Sequence, residues 1–341
     1  MYRKKERGQD LKRYEICIGG YAGCGNLGDD AVLQGYLEQL SPKTRRERTV
    51  VLSGNPRRDQ KRFDVRCVGR KNPFAVLHAF RQSERFLCGG GSLLQNGTGF
   101  RSLCYYLGLL RLARLCGCKT ELLASGIGPL RGKIATRMTV SEVKKCSRIV
   151  LRDEESGKLL SERGVERERL EYCDDPASML KIPPMTRLEL LKREMSAVEG
   201  RAYFCVVVRQ ETETGAVCLG KLSVALRLFV KEHDLLPVFM VFDSREDRAV
   251  SLQMCQEVRG RMAWIREASD ALAIISGCRF LVSMRLHALI FARTAGIPSI
   301  AISPSEVEPK LASFCETQKF RHFSPSMLSV GGLLSEMEKK L

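Results

Sequence analysis

Arg285 and His287 stand one residue apart in FLVSMRLHALIFARTAGIPSI, residues 280–300, between a short apolar run and an apolar helical pattern. His287 is one of only four histidines in 341 residues. An arginine fork suits a carboxylate or a phosphate, and an imidazole carries a proton near neutral pH. A polar pair among apolar neighbours has a desolvation cost unless it is used. The expectation for His287 is therefore proton transfer or phosphate contact, with a structural hydrogen bond or helix cap as the alternative. Residues 280–282 predict a buried strand and 286–294 a helix. Both polar residues then sit at the C-terminal edge of a parallel sheet, where open α/β sheets hold ligands.

Other candidates also follow apolar runs. Arg152 ends RIVLR, Arg209 ends AYFCVVVR, and Lys310 lies in EPKLASF. Each can face an anionic ligand or make an ordinary surface ion pair. Asp174 and Asp175 close LEYCDD and can meet sugar hydroxyls or cap a helix. Near the start, GGYAGCGNLGDDAVLQGYLEQL joins a glycine-rich turn, with Gly25 and Asn26, to a helix expected over 28–40. Its spacing is neither G-x-G-x-x-G nor a P-loop. Backbone N–H groups there can cradle a phosphate, but Asp29 and Asp30 in the first turn disfavour an anion. They suit sugar hydroxyls or a structural cap. Gly91 closes a triple-glycine turn, beside Ser92, Gln95 and Asn96.

Strands that end in small or polar loops and lead into helices recur along the whole chain, the rhythm of parallel α/β architecture. Two α/β halves are expected, facing across a cleft: an N-terminal domain over 14–182, thought to bind an acceptor, and a C-terminal domain over 200–320, thought to bind a donor. A terminal helix is expected over 321–341. KIPPMTRLELLKREMSAVEGRA reads as the linker, two prolines and then a short charged helix, TVSEVKKC as a helix over 139–146, and residues 1–13 as a loosely attached basic tail.

The 56 Lys and Arg against 39 Asp and Glu give +17. That favours anionic partners, namely phosphorylated molecules or an anionic membrane surface. Nucleic acid is not expected, since no helix-turn-helix or aromatic-basic motif is visible. Most of the fourteen cysteines lie in apolar runs, where they pack as small hydrophobes. Only Cys116 and Cys118 pair closely, so neither a zinc site nor a disulfide framework is expected, and the chemistry should need no metal or cofactor. No apolar run is long enough to span a bilayer and no signal segment opens the chain. A cytoplasmic protein is expected, with peripheral contact at the inner membrane face.

The pieces GGYAGCGNLGDDAVL, FLCGGGSLLQ, SGIGPL, VLRDEES, DDPA and SMRLHALIFARTAGIPSIAIS keep their order between residues 18 and 303. Together they resemble the polysaccharide pyruvyl transferase family, most of all its bacterial cell-wall branch. The resemblance implies two Rossmann-like domains of the GT-B-like kind. It also implies transfer of the pyruvyl group of phosphoenolpyruvate to two hydroxyls of a sugar. In the branch it resembles, the product is a 4,6-ketal on lipid-linked N-acetylmannosamine. The family's S-x-R-L-H arginine and histidine match Arg285 and His287, and its V-R-D arginine matches Arg152. After Ser303 the family reads close to S-Y-D-P-K-V, whereas this chain reads SPSEVEPK. Lys310, a few residues late, is expected to take that lysine's place. Arg285, Arg152, Arg209 and Lys310 then hold the donor, His287 moves a proton, and Gly25, Asn26, Asp29, Asp30, Gly91 and Asp174 face the acceptor. The rival expectations are a nucleotide-sugar glycosyltransferase, with Glu306 or Asp243 on the ribose, and a non-catalytic module of the same fold.

Overall fold

Short apolar runs closed by glycine or a polar residue become the strands of two parallel sheets in a computed structural model, which describes residues 12–97, 99–195, 198–209, 213–306 and 308–341. Most of the expected basic tail lies outside the described residues. Its end is held, because Lys12 Nζ donates to the carbonyls of Ser83 and Gly117, both at 2.8 Å. The chain divides into two compact units. One runs to Cys24 and resumes over Leu37–Asp174; the other joins Gly25–Tyr36 to Asp175–Leu341. Helix α1 (Leu27–Glu38) thus begins in the second unit.

In the first unit, β1 (Tyr14–Gly19), β2 (Thr49–Ser53), β3 (Arg66–Gly69), β4 (Ser83–Leu94), β5 (Lys119–Ile127), β6 (Arg148–Leu151) and β7 (Leu170–Tyr172) are ordered β3-β2-β1-β4-β5-β6-β7. β1 pairs with β2 through Cys17 and Val50, and with β4 through Cys17 and Phe86. The connecting helices are α2 (Pro42–Glu47), α3 (Pro56–Phe63), α4 (Pro73–Arg81), α5 (Phe100–Leu115), α6 (Lys133–Val143) and α7 (Glu154–Ser161). Right-handed crossovers place α4, α5, α6 and α7 on one face, and α5 packs between α4 and α6. Helix α6 starts six residues before the expected 139. Its buried residues Ala135, Thr139, Val140 and Val143 recur at helical spacing, while exposed Ile134 masks the start of that pattern.

The second unit holds α8 (Met185–Glu194), β8 (Tyr203–Val207), α9 (Glu213–Glu232), β9 (Leu236–Met240), α10 (Arg248–Glu257), β10 (Arg261–Ala263), α11 (Ala268–Ser276), β11 (Leu281–Ser283), α12 (Leu286–Ala295), β12 (Ser299–Ile302), α13 (Pro309–Gln318), β13 (Arg321–Phe323) and α14 (Val330–Glu338). Its sheet order is β10-β9-β8-β11-β12-β13. Alternation along β8 sends Tyr203, Cys205 and Val207 into one core and Phe204, Val206 and Val208 into the other. Phe204 stacks on Phe280 at 4.8 Å and meets Phe229 edge-on at 5.6 Å, pairs that add about 0.5–1.5 kcal/mol each beyond burial.

Two expectations change here. The short charged helix expected in the linker forms as α8, but it is not a free connector: its Leu188 and Leu191 are buried, and its Arg187 pairs with Asp270 at 2.7 Å. The apolar residues of that charged segment recur at helical spacing, so it packs in the second unit. The expected terminal helix also starts late. Residues 321–323 are instead an edge strand of the sheet, Pro325 interrupts the chain, and Ser329 caps α14 through the Gly332 N–H.

Candidate functional site

The switch point of the second sheet lies between β8 and β11, whose outgoing loops diverge. Register sets Val207 level with Ser283, and Ser283 level with Ala301. Two residues on, Arg209, Arg285 and Ser303 therefore leave the sheet at one height. The side chain of Arg285 is only 12 % exposed. Its Nε donates to Asp247 Oδ2 at 3.1 Å, and its Nη2 to Asp247 Oδ1 at 2.5 Å and Glu246 Oε2 at 2.8 Å. Asp247 Oδ2 also accepts the Asp243 N–H at 2.9 Å. Burial works against the Arg285 charge, but Asp247 and then Glu246 outweigh it and hold its pKa above the arginine range. Burial likewise pushes the Asp247 carboxyl up, against the pull of Arg285. Arginine stays protonated, so the pair is ionic at neutral pH.

Arg209 is the second cation at this edge, with Nη1 3.9 Å from Glu308 Oε1. Burial, and then the charge of Arg285, lower its pKa. Two guanidinium groups thus stand at this edge, beside three carboxylates that position them. Lys310 falls in the first turn of α13, next to that glutamate.

His287 opens α12, beside its N-cap residue Arg285. Its Nε2 is buried, has no hydrogen-bond partner among the described residues, and lies 3.7 Å from Asp175 Oδ2. The other oxygen of Asp175 accepts the Ala177 N–H at 3.0 Å, which fixes the carboxylate. The imidazole lies flush against Gly28: a Cβ there would stand 2.1 Å from Nδ1. Helix α1 supplies this flat contact and is itself pinned. Asn26 Oδ1 accepts the N–H groups of Gly28 at 2.9 Å and Asp29 at 3.3 Å, as a helix cap does. Asn26 Nδ2 donates to Asp243 Oδ2 at 3.3 Å, and the Leu27 N–H to the Phe242 carbonyl at 2.8 Å. Gly25 receives the Ser244 N–H at 3.1 Å. Of the carboxylates expected near an acceptor, Asp29 is half-buried and Asp30 buried, both in the first turn of α1.

The first unit carries its own polar edge. Arg152, directly after β6, donates from Nη2 to Ser92 Oγ of β4 at 3.1 Å. Asp153 caps α7 by accepting the Ser156 N–H at 2.7 Å. Gly91 is buried within β4 at φ 89°, a conformation that favours glycine. Asp174, the last residue of this unit, is exposed. Sequence reasoning missed Arg70, which directly follows the strand β3. It is buried, 5.0–5.5 Å from the rings of Tyr21, Tyr105 and Tyr106, and donates to Tyr106 Oη at 2.9 Å. The aromatic pair Tyr105-Tyr106 was the available signal. Glu246 and Asp247 were also missed; the polar run SREDR, which begins four residues after the end of β9, was the signal there.

Among the described residues, Glu232, His233 and Glu338 bring three possible metal-ligand atoms within 4.8 Å of one another. Glu338 is far from the other two in sequence, so spacing did not reveal the group. It sits where α9 and α14 end, at the sheet edge opposite His287, and both acids are exposed. No helix among the described residues is long and apolar enough to cross a membrane.

A model of the family described as polysaccharide pyruvyl transferase matches residues 26–306. No curated protein matches the chain. Solved structures match over nearly its full length. The S. aureus MnaA–UDP co-structure aligns with TM-score 0.65 at 10 % identity, covering 96 % of this chain and 87 % of that one. UDP-GlcNAc 2-epimerase from Neisseria meningitidis bound to UDP-GlcNAc gives 0.63 at 8 %, covering 95 % and 90 %. A glycosyltransferase from Rickettsia africae ESF-5 gives 0.59 at 12 %, covering 96 % and 88 %. At these identities the likeness shows the fold alone, an α/β fold with two parallel sheets of the GT-B-like class. The family match takes in Asn26, Arg152, Arg209, Arg285 and His287 and stops short of Lys310. With 281 of 341 residues matched, the chain belongs to the polysaccharide pyruvyl transferase family, transferases of polysaccharide biosynthesis.

Proposed function

We propose that this chain transfers the pyruvyl group of phosphoenolpyruvate to two hydroxyls of one sugar, forming a ketal and releasing phosphate. The acceptor is a lipid-linked saccharide of the cell wall, with a 4,6-ketal on N-acetylmannosamine as the assigned product. The observation that carries this reading is the edge of β11. There a family-matched arginine and histidine emerge together, with Arg209 at the same height and Asp175 beside the imidazole.

Phosphoenolpyruvate presents a carboxylate and a phosphate, so it needs more than one cation. Arg285 and Arg209 meet that need in the second unit, and Lys310 in the first turn of α13 is assigned to the same donor. Arg152 is assigned to donor binding from its family motif. The Gly25–Asp30 segment, Gly91 and Asp174 are assigned to the acceptor.

In the reaction, a proton adds to C3 and makes C2 electrophilic. One sugar hydroxyl adds to C2 and gives up its proton. The second hydroxyl then displaces phosphate, its proton leaving with the phosphate. The two hydroxyl protons thus balance the new methyl hydrogen and the released phosphate. His287 is the group assigned to move a proton, either to C3 or to the departing phosphate, with the Asp175 carboxylate 3.7 Å from its Nε2.

The test is product analysis with phosphoenolpyruvate and a panel of undecaprenyl-linked disaccharides, following phosphate release. His287→Ala is expected to lower turnover by about 10²–10⁴ while phosphoenolpyruvate still protects against heat unfolding. Arg152→Ala and Lys310→Ala are expected to raise KM for phosphoenolpyruvate. Protection by UDP-sugars alone would overturn the reading, as would an unchanged ketal yield in His287→Ala.

A further inference from the structure

Three adjacent helices of the first unit carry mostly basic charge; the one acid in them, Glu142 in the last turn of α6, pairs with Arg114. Residues 71–82 contain Lys71 and Arg81, 99–115 contain Arg101, Arg111 and Arg114, and 129–141 contain Arg131, Lys133 and Arg137. None of the three stretches contains an Asp or a Glu. Helices α4, α5 and α6 lie side by side and each follows a parallel strand, so their N-terminal ends share one edge of the unit. That edge exposes large apolar side chains: Phe74 is 82 % exposed, Ile134 70 % and Phe100 47 %. Lys71, Arg101, Arg131, Lys133 and Arg137 each lie within three residues of one of them in sequence; all are exposed, and none has an ion-pair partner among the described residues. Single exposed apolar residues are ordinary. Three at the starts of neighbouring helices, each flanked by cations and by the positive helix ends, are a pattern.

We infer that this edge docks on an anionic lipid bilayer, with Phe74, Phe100 and Ile134 entering the headgroup layer and the flanking cations facing lipid phosphates. Mixed chemistry selects this occupant. Polyanions in water would meet the cations but leave the apolar side chains exposed. A neutral protein face would meet the apolar groups but leave the cations uncompensated. An anionic interface satisfies both, through apolar insertion and attraction to the leaflet. The inference rests on this surface alone and is independent of the donor and acceptor proposed above.

The test is flotation of the full chain with vesicles of phosphatidylcholine and of phosphatidylcholine mixed with phosphatidylglycerol, at low and high salt. Binding is expected to the anionic vesicles only, and to weaken in high salt. Lys133→Gln with Arg137→Gln is expected to lower partitioning about 25-fold, from about fivefold per surface cation. Phe74→Ser with Ile134→Ser is expected to lower it by at least about tenfold. Both pairs are exposed, so unfolding melts should stay unchanged. Equal binding to neutral vesicles, retention of binding in both double variants, or loss of a concentration-dependent dimer in place of vesicle binding would each overturn the proposal. So would displacement from vesicles by duplex RNA together with tight RNA binding that Phe74→Ser leaves intact.

Discussion

Gly28→Ala is a change whose sign should depend on a second residue. Gly28 sits in the first turn of α1 with ordinary helical backbone, so alanine there would by itself favour the helix by about 0.5–1 kcal/mol. The His287 ring prevents it. The added Cβ would lie 2.1 Å from Nδ1 and 2.5 Å from Cγ, where ordinary contact begins at 3.4 Å. The ring or the helix must therefore move by more than an ångström, an overpacking that costs about 1–3 kcal/mol. In a His287→Ala background the obstacle is gone, and the same substitution should stabilise by about 0.5–1 kcal/mol. The four proteins of this cycle, compared by urea unfolding, should show a coupling of at least about 1.5 kcal/mol between the two positions. An equal effect of Gly28→Ala in both backgrounds would refute the packing argument. A displaced imidazole should also slow turnover by about 10² in Gly28→Ala.

Two further outcomes follow from the same unit. Asp247→Ala removes a fully buried partner of Arg285 and should cost about 3–5 kcal/mol in urea, whereas Glu246→Ala, at a half-exposed carboxylate, should cost under about 1 kcal/mol; equal costs would show that burial does not govern this ion pair. Burial, and then Arg321, depress the pKa of His322, whose Nε2 lies 2.8 Å from Ser303 Oγ. The unfolded chain takes up that proton first, so the stability linked to His322 is complete above about pH 6.5 and is lost as pH falls through the lower folded value. Wild type should therefore lose more Tm than His322→Gln between about pH 7.5 and about pH 5.5, and parallel pH curves would exclude this linkage.

The α/β class was legible because nearly every buried strand is a continuous apolar run with a glycine or polar residue at its end. Arg285 and His287 were legible for the same reason, as charged groups in an otherwise apolar stretch. Their partners were not. Asp247 reaches Arg285 because β9 and β11 flank β8, an adjacency that sequence separation hides. Asp175 lies 3.7 Å from His287 although 112 residues separate them in sequence, so no spacing pointed to the pair. The edge strand β13 was invisible because three residues show no period, and only Phe323 among them is buried. Arg70 did not stand out, since nothing in its own segment announces the tyrosines beside it.

The chain's path through its units has a consequence for synthesis. Gly25–Tyr36 leaves the ribosome before all of Leu37–Asp174, yet Leu27, Ala31 and Val32 fill a core completed by residues after Asp175. The first unit can close while this helix still waits, its apolar face without the residues that will cover it. Nor can the gene be divided cleanly at Asp174, because the downstream piece would be born without one of its own core helices. A donor fragment carrying Gly25–Tyr36 would have to be returned to it, as in split-protein complementation.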